Sequence, residues 1–420
     1  MKLIFKSIAI VFLTVMLSTS AFATNGDNLI AIGPVARAMG GVGTAYPLDA
    51  ISAVFANPAA MCFGEYCPAS EFNFSGTLFM PKIDTKITNA ALGTYTAESD
   101  DKVYAIPAIG FSVPMGSGPS NWRFGLAAYG VTGLGVDYRG TAIDINPPAY
   151  GGAFPLVSGS YTALQIMKFA PAISFQPTTR LSVGLGLHID YASLDLRSGS
   201  SFNYAFGLQP GVIYKPTDHL SIGLTYTTPQ SVDHENVSDF DSDGTLDTLT
   251  LEAPQQFALG VAHDFFSGKL LIEADVKWIN WSDAKGYGKN DFDWEDQWVF
   301  GVGAQVEPVS NLYVRAGYNY GENPVKEHQN FSGLKTVQGK TMPAYYYETF
   351  RIVGFPAIVE QHLTFGIGYK FTDRLKVDLG YMHAFENTIR ETGTDFMGNP
   401  VTLESSLSES SIDFGLTWRF

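Results

Sequence analysis

From residue 70 to the end of the chain, apolar and polar residues alternate in short runs, the period of strands with two unlike faces. The runs fall at 70–82, 102–114, 121–136, 161–176, 180–195, 204–216, 218–231, 250–266, 268–282, 295–307, 310–321, 361–371, 373–386 and 409–420, fourteen in all. In the fifth, Leu181, Val183, Leu185, Leu187 and Ile189 share one face, and Ser182, Gly184, Gly186, His188 and Asp190 the other. The ninth sets Leu270, Ile272, Ala274, Val276 and Trp278 against Glu273, Asp275 and Lys277. A soluble sandwich would alternate in the same way. Aromatic residues at the ends of runs, such as Tyr226, Trp278, Tyr318, Tyr369 and Tyr381, suit the girdles of a membrane barrel and decide between the two.

The connections alternate in length. Short ones fall at Pro114 to Ser120, Pro177 to Thr179, Thr217, Ser267, Pro308-Val309 and Thr372; long ones at 83–101, 137–160, 232–249, 283–294, 322–360 and 387–408, with a shorter one at 196–203. Short turns on one side and long loops on the other are the outer-membrane pattern. An even number of antiparallel strands fits a closed single-chain barrel.

Composition agrees. Charged residues are only 16% and aromatic residues 14% of the chain, with 43 glycines; a soluble protein carries about 25% charged residues. Lys2 and Lys6 precede an apolar run from Ile8 to Leu17, and Ala21-Phe22-Ala23 is a small-x-small cleavage site. Residues 1–23 therefore read as a secretion signal. Its removal takes the net charge from −15 to −17, since Lys2 and Lys6 are its only charges. The remainder has no 18-residue apolar run for a membrane helix. The acidic balance, without basic clusters, argues against nucleic-acid binding.

Between the signal and the strands lies a small, glycine-rich segment, Gly33 to Met61. Pro34 suits the first turn of one short helix. Asp49 suits the N-cap of a second, and Pro58 stops it at Asn57. Cys62 and Cys67 follow, the only cysteines. In an oxidising periplasm they suit a small-loop disulfide, two buried thiols being the alternative, and no nearby histidine completes a zinc site.

Arg37-Ala38-Met39-Gly40-Gly41-Val42-Gly43-Thr44-Ala45 and Asp49-Ala50-Ile51-Ser52-Ala53-Val54-Phe55-Ala56-Asn57-Pro58-Ala59 resemble the hatch motifs of the outer-membrane fatty acid and aromatic hydrocarbon transporters, the FadL and TodX family. The terminal Phe420, after Ile412, Phe414, Leu416 and Trp418, resembles the C-terminal signature of outer-membrane proteins. The resemblance implies an all-β fold: a 14-stranded antiparallel transmembrane barrel at 70–420, plugged by an N-terminal helical hatch at 24–69. It implies gating by hatch residues Arg37, Gly40, Gly41, Asp49, Asn57, Pro58 and Ala59, and a monomer. It also implies a lateral opening where the third strand kinks, here near Gly130, Gly133 and Gly135. Glycine inside a strand marks a bulge or bend, so a plain bend is the alternative.

The chemistry is sparse. A lumen that passes an amphipathic acid needs apolar walls and a cation for the carboxylate. Inward cations are Arg315, Lys277, Lys376 and Arg419, each of which could instead pair with Glu273, Asp275 or Asp378. Arg315 and Lys277 are the candidate headgroup ligands. Two outer loops are unusually apolar, one holding Phe154 and the other Phe355; exposed apolar loops suit substrate capture, and a mutually packed lid is the alternative. Asp239, Asp241, Asp243 and Asp247 match the first nine positions of a calcium loop, but position twelve is Thr250 rather than Glu. Structural calcium and a plain acidic turn are the two readings, and no cofactor is required.

No G-x-S-x-G or H-E-x-x-H occurs. The reading is a non-enzymatic outer-membrane transporter of hydrophobic compounds, chiefly long-chain fatty acids, surrounded by outer-membrane lipid. A monoaromatic hydrocarbon channel is the alternative; an outer-membrane hydrolase or a structural or adhesive barrel are alternatives of other classes.

Overall fold

The computed structural model describes residues 24–62, 70–100, 103–116 and 120–420. The signal segment at 1–23 and the side chains of the Cys62–Cys67 pair lie outside the described residues.

Fourteen strands close into one antiparallel barrel: β1 (Glu71–Asn89), β2 (Tyr104–Pro114), β3 (Trp122–Asp137), β4 (Tyr161–Thr178), β5 (Leu181–Asp195), β6 (Ser200–Tyr214), β7 (Leu220–Thr227), β8 (Gln256–Phe265), β9 (Leu270–Ile279), β10 (Gln297–Val309), β11 (Leu312–Gly321), β12 (Gln361–Lys370), β13 (Leu375–Thr394) and β14 (Pro400–Arg419). β14 closes on β1 over nineteen pairs, from Glu71↔Arg419 to Asn89↔Val401. Closure pairs the first strand with the last, so neither end of the sheet is left as an edge to lipid. Side chains divide as the alternation requires. Leu185, Leu187, Ile272, Phe300 and Val302 face outward, while Ser182, His188, Asp190 and Glu273 are buried within.

Several expected boundaries move, the run expected at 70–82 extending to Asn89 among them. The run expected at 218–231 ends at Thr227, and the run expected at 250–266 begins its barrel portion at Gln256. Pro229 and Pro254 interrupt them, and Gln230–Ser238 pairs with Asp247–Ala253 as a separate outer hairpin. The segment 387–408, expected as a long loop, is mostly strand, because β13 runs to Thr394 and β14 starts at Pro400. Its inward side stays closed with Leu403, Ser405 and Leu407, while Glu404, Ser406 and Ser408 face out. Past the bilayer the outward face turns polar, so the cue of an apolar outer face disappears although pairing continues.

The hatch fills the lumen. α1 (Pro34–Arg37) starts on a proline, and α2 (Ala50–Ala56) is capped by Asp49, whose carboxylate accepts Ser52 N–H at 2.8 Å and Ser52 Oγ–H at 2.7 Å. A 3₁₀ turn follows at Pro58–Cys62. Gly40 and Gly41 between the helices have φ of 71° and 80°, a left-handed bend that few side chains tolerate.

The wall makes room with glycines. A Cβ at Gly317 would overlap Gly40 N, one at Gly303 Met39 O, one at Gly223 Thr44 O, and one at Gly184 Ala59 N. The hatch backbone thus lies directly against the barrel wall, on strands β5, β7, β10 and β11.

Candidate functional site

Direct contact with the wall raises an accounting question, because buried N–H groups need acceptors. The wall supplies them as side chains. Asp275 Oδ2 accepts Gly43 N–H and Thr44 N–H, both at 3.1 Å, and Glu273 Oε1 accepts Ala45 N–H at 2.7 Å. Asn73 Oδ1 and Glu71 Oε1 accept Ala50 N–H at 2.7 and 3.0 Å. Thr364 Oγ1 accepts Gly40 N–H at 3.0 Å, Asn319 donates to Gly40 O at 3.0 Å, and Ser182 donates to Ala59 O at 2.7 Å. Asn57 donates to Thr44 O at 2.8 Å and accepts Ala59 N–H at 3.0 Å, tying the two halves of the hatch together. Arg37 is buried in a salt bridge of 3.1 Å to Asp413 on β14.

The sequence suggested Glu273 and Asp275 as partners for lumen cations. They hold hatch amides instead, and Lys277 is left without a direct bond to either, within reach of the Asp275 charge. Lys277 lines a cavity of about 80 Å³. Its ammonium has no hydrogen bond or direct salt bridge among the described residues, and Asp275 is the carboxylate whose charge it feels. Hatch residues Gly41, Thr44, Phe55 and Ala56 bound the cavity on one side. On the opposite wall Lys168 is fully engaged: it pairs with Asp190 at 2.7 Å, meets His188 Nδ1 at 3.3 Å and donates to Gln230 Oε1. His188 Nε2 meets Gln209 at 3.2 Å, and Gln209 donates to Phe55 O at 3.0 Å and Ala56 O at 3.2 Å. The last carbonyls of α2 are therefore held by a polar chain that begins at the cavity. Lys168, Gln209 and Gln230 carry no local signal, and His188 is legible only as a residue of the polar face; they come together only through strand register.

The wall beside the cavity is incomplete. β2 and β3 are paired only from Ala108↔Tyr129 to Pro114↔Arg123. Beyond Tyr129, β3 bulges between Gly130 and Thr132 against β4, and its free side meets the chain's own start. Leu29 N–H donates to Val131 O at 3.2 Å and Asn28 bridges Thr132. Asp27 is anchored nearby, accepting Tyr287 O–H at 2.6 Å. Burial pushes the Asp27 carboxyl up to about 6, with the Tyr287 hydrogen bond offsetting part of the shift.

The family described as outer membrane protein transport protein (OMPP1/FadL/TodX) matches residues 10–202 and 195–332. The chain belongs to this family. Among solved structures of similar fold, the FadL homologue of Pseudomonas aeruginosa shares 15% identity with a TM-score of 0.67, covering 95% of this chain and 99% of that one. The toluene transporter TodX of P. putida shares 18% identity with a TM-score of 0.65, covering 93% and 99%. Outer membrane protein P1 of Haemophilus influenzae is 24% identical over 196 residues, 43% of this chain but 38% of that protein's length. The chain is thus an integral outer-membrane barrel of fourteen strands, and its own N-terminal segment lies inside the lumen.

The other sequence candidates of this family member do not converge. Arg315 pairs with Asp378 at 2.8 Å and donates to Gln305 at 2.7 Å; it lines a separate vestibule at the short-turn end, with Lys376 and Arg419, rather than the Lys277 cavity. Gly130 opens the bulge of β3, no atom lies within 4 Å of a Cβ built at Gly133, and one at Gly135 would overlap Thr162 O.

The two apolar loops fold over each other as a lid. Tyr345 and Tyr346 donate to Leu156 O and Pro155 O at 2.6 and 2.8 Å, and Thr162 donates to Gly354 O at 2.5 Å. Phe355 is buried between Phe292 and Phe350, whereas Phe154 stays exposed beside Phe396, with ring centroids 5.5 Å apart. Beneath the lid His328 bridges Asp293 at 2.9 Å and Glu348 at 2.8 Å, and Arg351 joins Glu348 to Glu391. Burial alone would raise Glu348, but its His328 bond and the Arg351 charge hold it below its ordinary value.

Of the calcium-loop carboxylates, Asp239, Asp241 and Asp247 bring oxygens within 4.8 Å of one another. Asp243 instead accepts Thr245 N–H and Oγ–H at 2.8 and 2.6 Å. The Lys340 ammonium lies 2.5 Å from Asp247 and 3.4 Å from Asp241, so the chain supplies a cation of its own.

Proposed function

We propose that the chain moves hydrophobic compounds, above all long-chain fatty acids, passively across the outer membrane. The observation that carries this reading is the Lys277 ammonium, which has no direct hydrogen bond or salt bridge among the described residues and lines a cavity of mixed polarity against the hatch, with only the Asp275 charge acting on it. A half-buried cation with no direct partner is poorly compensated, and a ligand carboxylate would complete it. A water needs about 10–15 Å³ on this measure, so 80 Å³ accommodates a headgroup and not an acyl chain. Binding of a whole fatty acid therefore requires the hatch to give.

The steps follow in order. The exposed Phe154, backed by half-buried Phe396, collects apolar molecules at the edge of the lid. The headgroup reaches Lys277. The hatch shifts, and residues 25–29 leave the gap between β2 and β3, through which the molecule passes sideways into the bilayer. No energy source is involved, so flow follows the gradient.

A monoaromatic hydrocarbon channel is the second reading, favoured by the small cavity and by the likeness to TodX, named as a toluene transporter. Direct binding to the purified barrel separates the two. Oleate binding that weakens about tenfold or more in Lys277→Ala, with toluene binding unchanged, supports the first. Toluene binding alone, indifferent to Lys277, supports the second. Binding of neither overturns both.

A further inference from the structure

A second weakness in the wall lies between β6 and β7, away from the gap that the N-terminal segment fills. β6 is fifteen residues long and pairs with β5 along its whole length, from Leu181↔Tyr214 to Asp195↔Ser200. On its other side it pairs with β7 over four positions only, from Gly211↔Thr225 to Tyr214↔Ile222. Beyond these, the outer hairpin arm Gln230–Ser238 runs alongside β6, yet the two belong to different sheets.

Side chains take the place of the missing ladder. Leu208 N–H donates to Thr228 Oγ1 at 2.9 Å and Glu235 N–H to Ser201 Oγ at 3.1 Å. Asn203 donates to Asp233 O at 3.2 Å. One backbone bond survives, Thr228 N–H to Leu208 O at 3.0 Å. Prolines stand on both sides of the break, Pro210 on β6 and Pro229 before the arm, and neither has an N–H to give. A seam zipped by side chains separates without dismantling a ladder.

The two sides of the seam differ. Outside, Tyr204, Phe206 and Leu208 project from β6, with Phe206 66% exposed, whereas Asp233 and Glu235 project from the arm. Inside lies the Lys277 cavity, lined on both lips by Gln209, Thr227 and Gln230. Gln230 also fills the space that a side chain at Gly207 would take. The seam thus joins an apolar outer surface to the lumen without passing the hatch, and carboxylates guard one lip.

We propose that the β6–β7 seam is a second lateral passage between the cavity and the membrane, used by uncharged apolar compounds such as arenes and closed to fatty acid anions. Apolar molecules partition onto Tyr204, Phe206 and Leu208. Asp233 and Glu235 repel carboxylates, and withdrawal of Gln230 opens the inner lip. This passage rests on the transport reading above, and it divides the substrates by charge where the β2–β3 gap does not.

A reversible staple tests it. Asn203→Cys with Asp233→Cys places a disulfide across the seam of the full-length protein in outer membranes, compared with the parent and each single variant. Toluene and oleate uptake are then measured before and after dithiothreitol. The expected result is toluene uptake at least fivefold slower when oxidised and restored on reduction, with oleate uptake unchanged. Toluene uptake indifferent to the staple overturns the passage. Equal slowing of both compounds also overturns it, since that marks a general obstruction of the lumen. A parent that takes up neither overturns the transport reading itself. Recovery on reduction shows that the variant folded.

Discussion

Arg37 of the hatch and Asp413 of β14 form a salt bridge of 3.1 Å, with both side chains almost wholly buried. Arg37 also donates to Ala31 O at 2.8 Å, and Thr77 donates to Asp413 at 2.5 Å. Halving a buried pair costs more than removing it, because one charge is left in a poor dielectric. Arg37→Ala should therefore weaken the seat of the hatch by about 3–5 kcal/mol. Arg37→Met with Asp413→Leu should recover much of that loss. Ion conductance in planar bilayers reads the seat, since a loosened plug admits ions; parental conductance in Arg37→Ala would remove this pair from the anchoring.

The glycines of the wall carry a second prediction. Gly317→Ala would place a Cβ onto Gly40 N, which is backbone and has little freedom to move. Overpacking of this kind costs about 1–3 kcal/mol. Conductance should rise, while Gly133→Ala, with nothing within 4 Å of its Cβ, should behave as the parent. Equal behaviour of the two variants would mean that the hatch does not depend on a glycine socket.

These two features mark where the sequence was legible and where it was not. The alternation of Leu181 to Asp190 and of Leu270 to Trp278 gave faces and strand count directly, because lipid imposes an apolar outer face on every strand it touches. It failed at 387–408, where Glu404, Ser406 and Ser408 lie outside the lipid and that constraint is gone. Pro229 and Pro254 marked strand ends, but their meaning as a hairpin base needed pairing partners far along the chain. The hatch was recognisable by motif. Its anchors were not, since Asp275 and Glu273 look like ion-pair partners of Lys277 until the hatch amides claim them. Phe355 shows the limit for loops: an apolar outer loop reads the same whether it binds ligand or packs on another loop.

The Asp27–Tyr287 contact should make the seat depend on pH. Burial raises Asp27 from 3.8 to about 6. The seated segment then binds the proton more tightly than the released one, so protonation favours seating. The contribution is full below about pH 4, declines as pH rises towards 6 and is constant above it, a change of about 3 kcal/mol from the two-unit difference. Amide exchange at residues 25–29 should be slower at pH 4.5 than at pH 7 once corrected for intrinsic rates. Asp27→Asn, neutral throughout, should abolish that difference; an unaltered difference would place the switch elsewhere.

Two lysines on facing walls of one cavity should respond oppositely to the same substitution. Lys168 is held by Asp190 at 2.7 Å, His188 and Gln230, so Lys168→Met strands Asp190 and should cost about 3–5 kcal/mol of barrel stability. Lys277 has no hydrogen bond or direct salt bridge among the described residues, only the charge of Asp275, so Lys277→Met exchanges a weakly compensated ammonium for a side chain of similar length. Stability should hold or rise by about 1 kcal/mol, read as the midpoint of heat-induced unfolding in detergent. The same variant should lose oleate binding. Stability gained where binding is lost is the signature of a cation kept for a ligand; a loss of stability in Lys277→Met would show instead that the protein itself uses this charge.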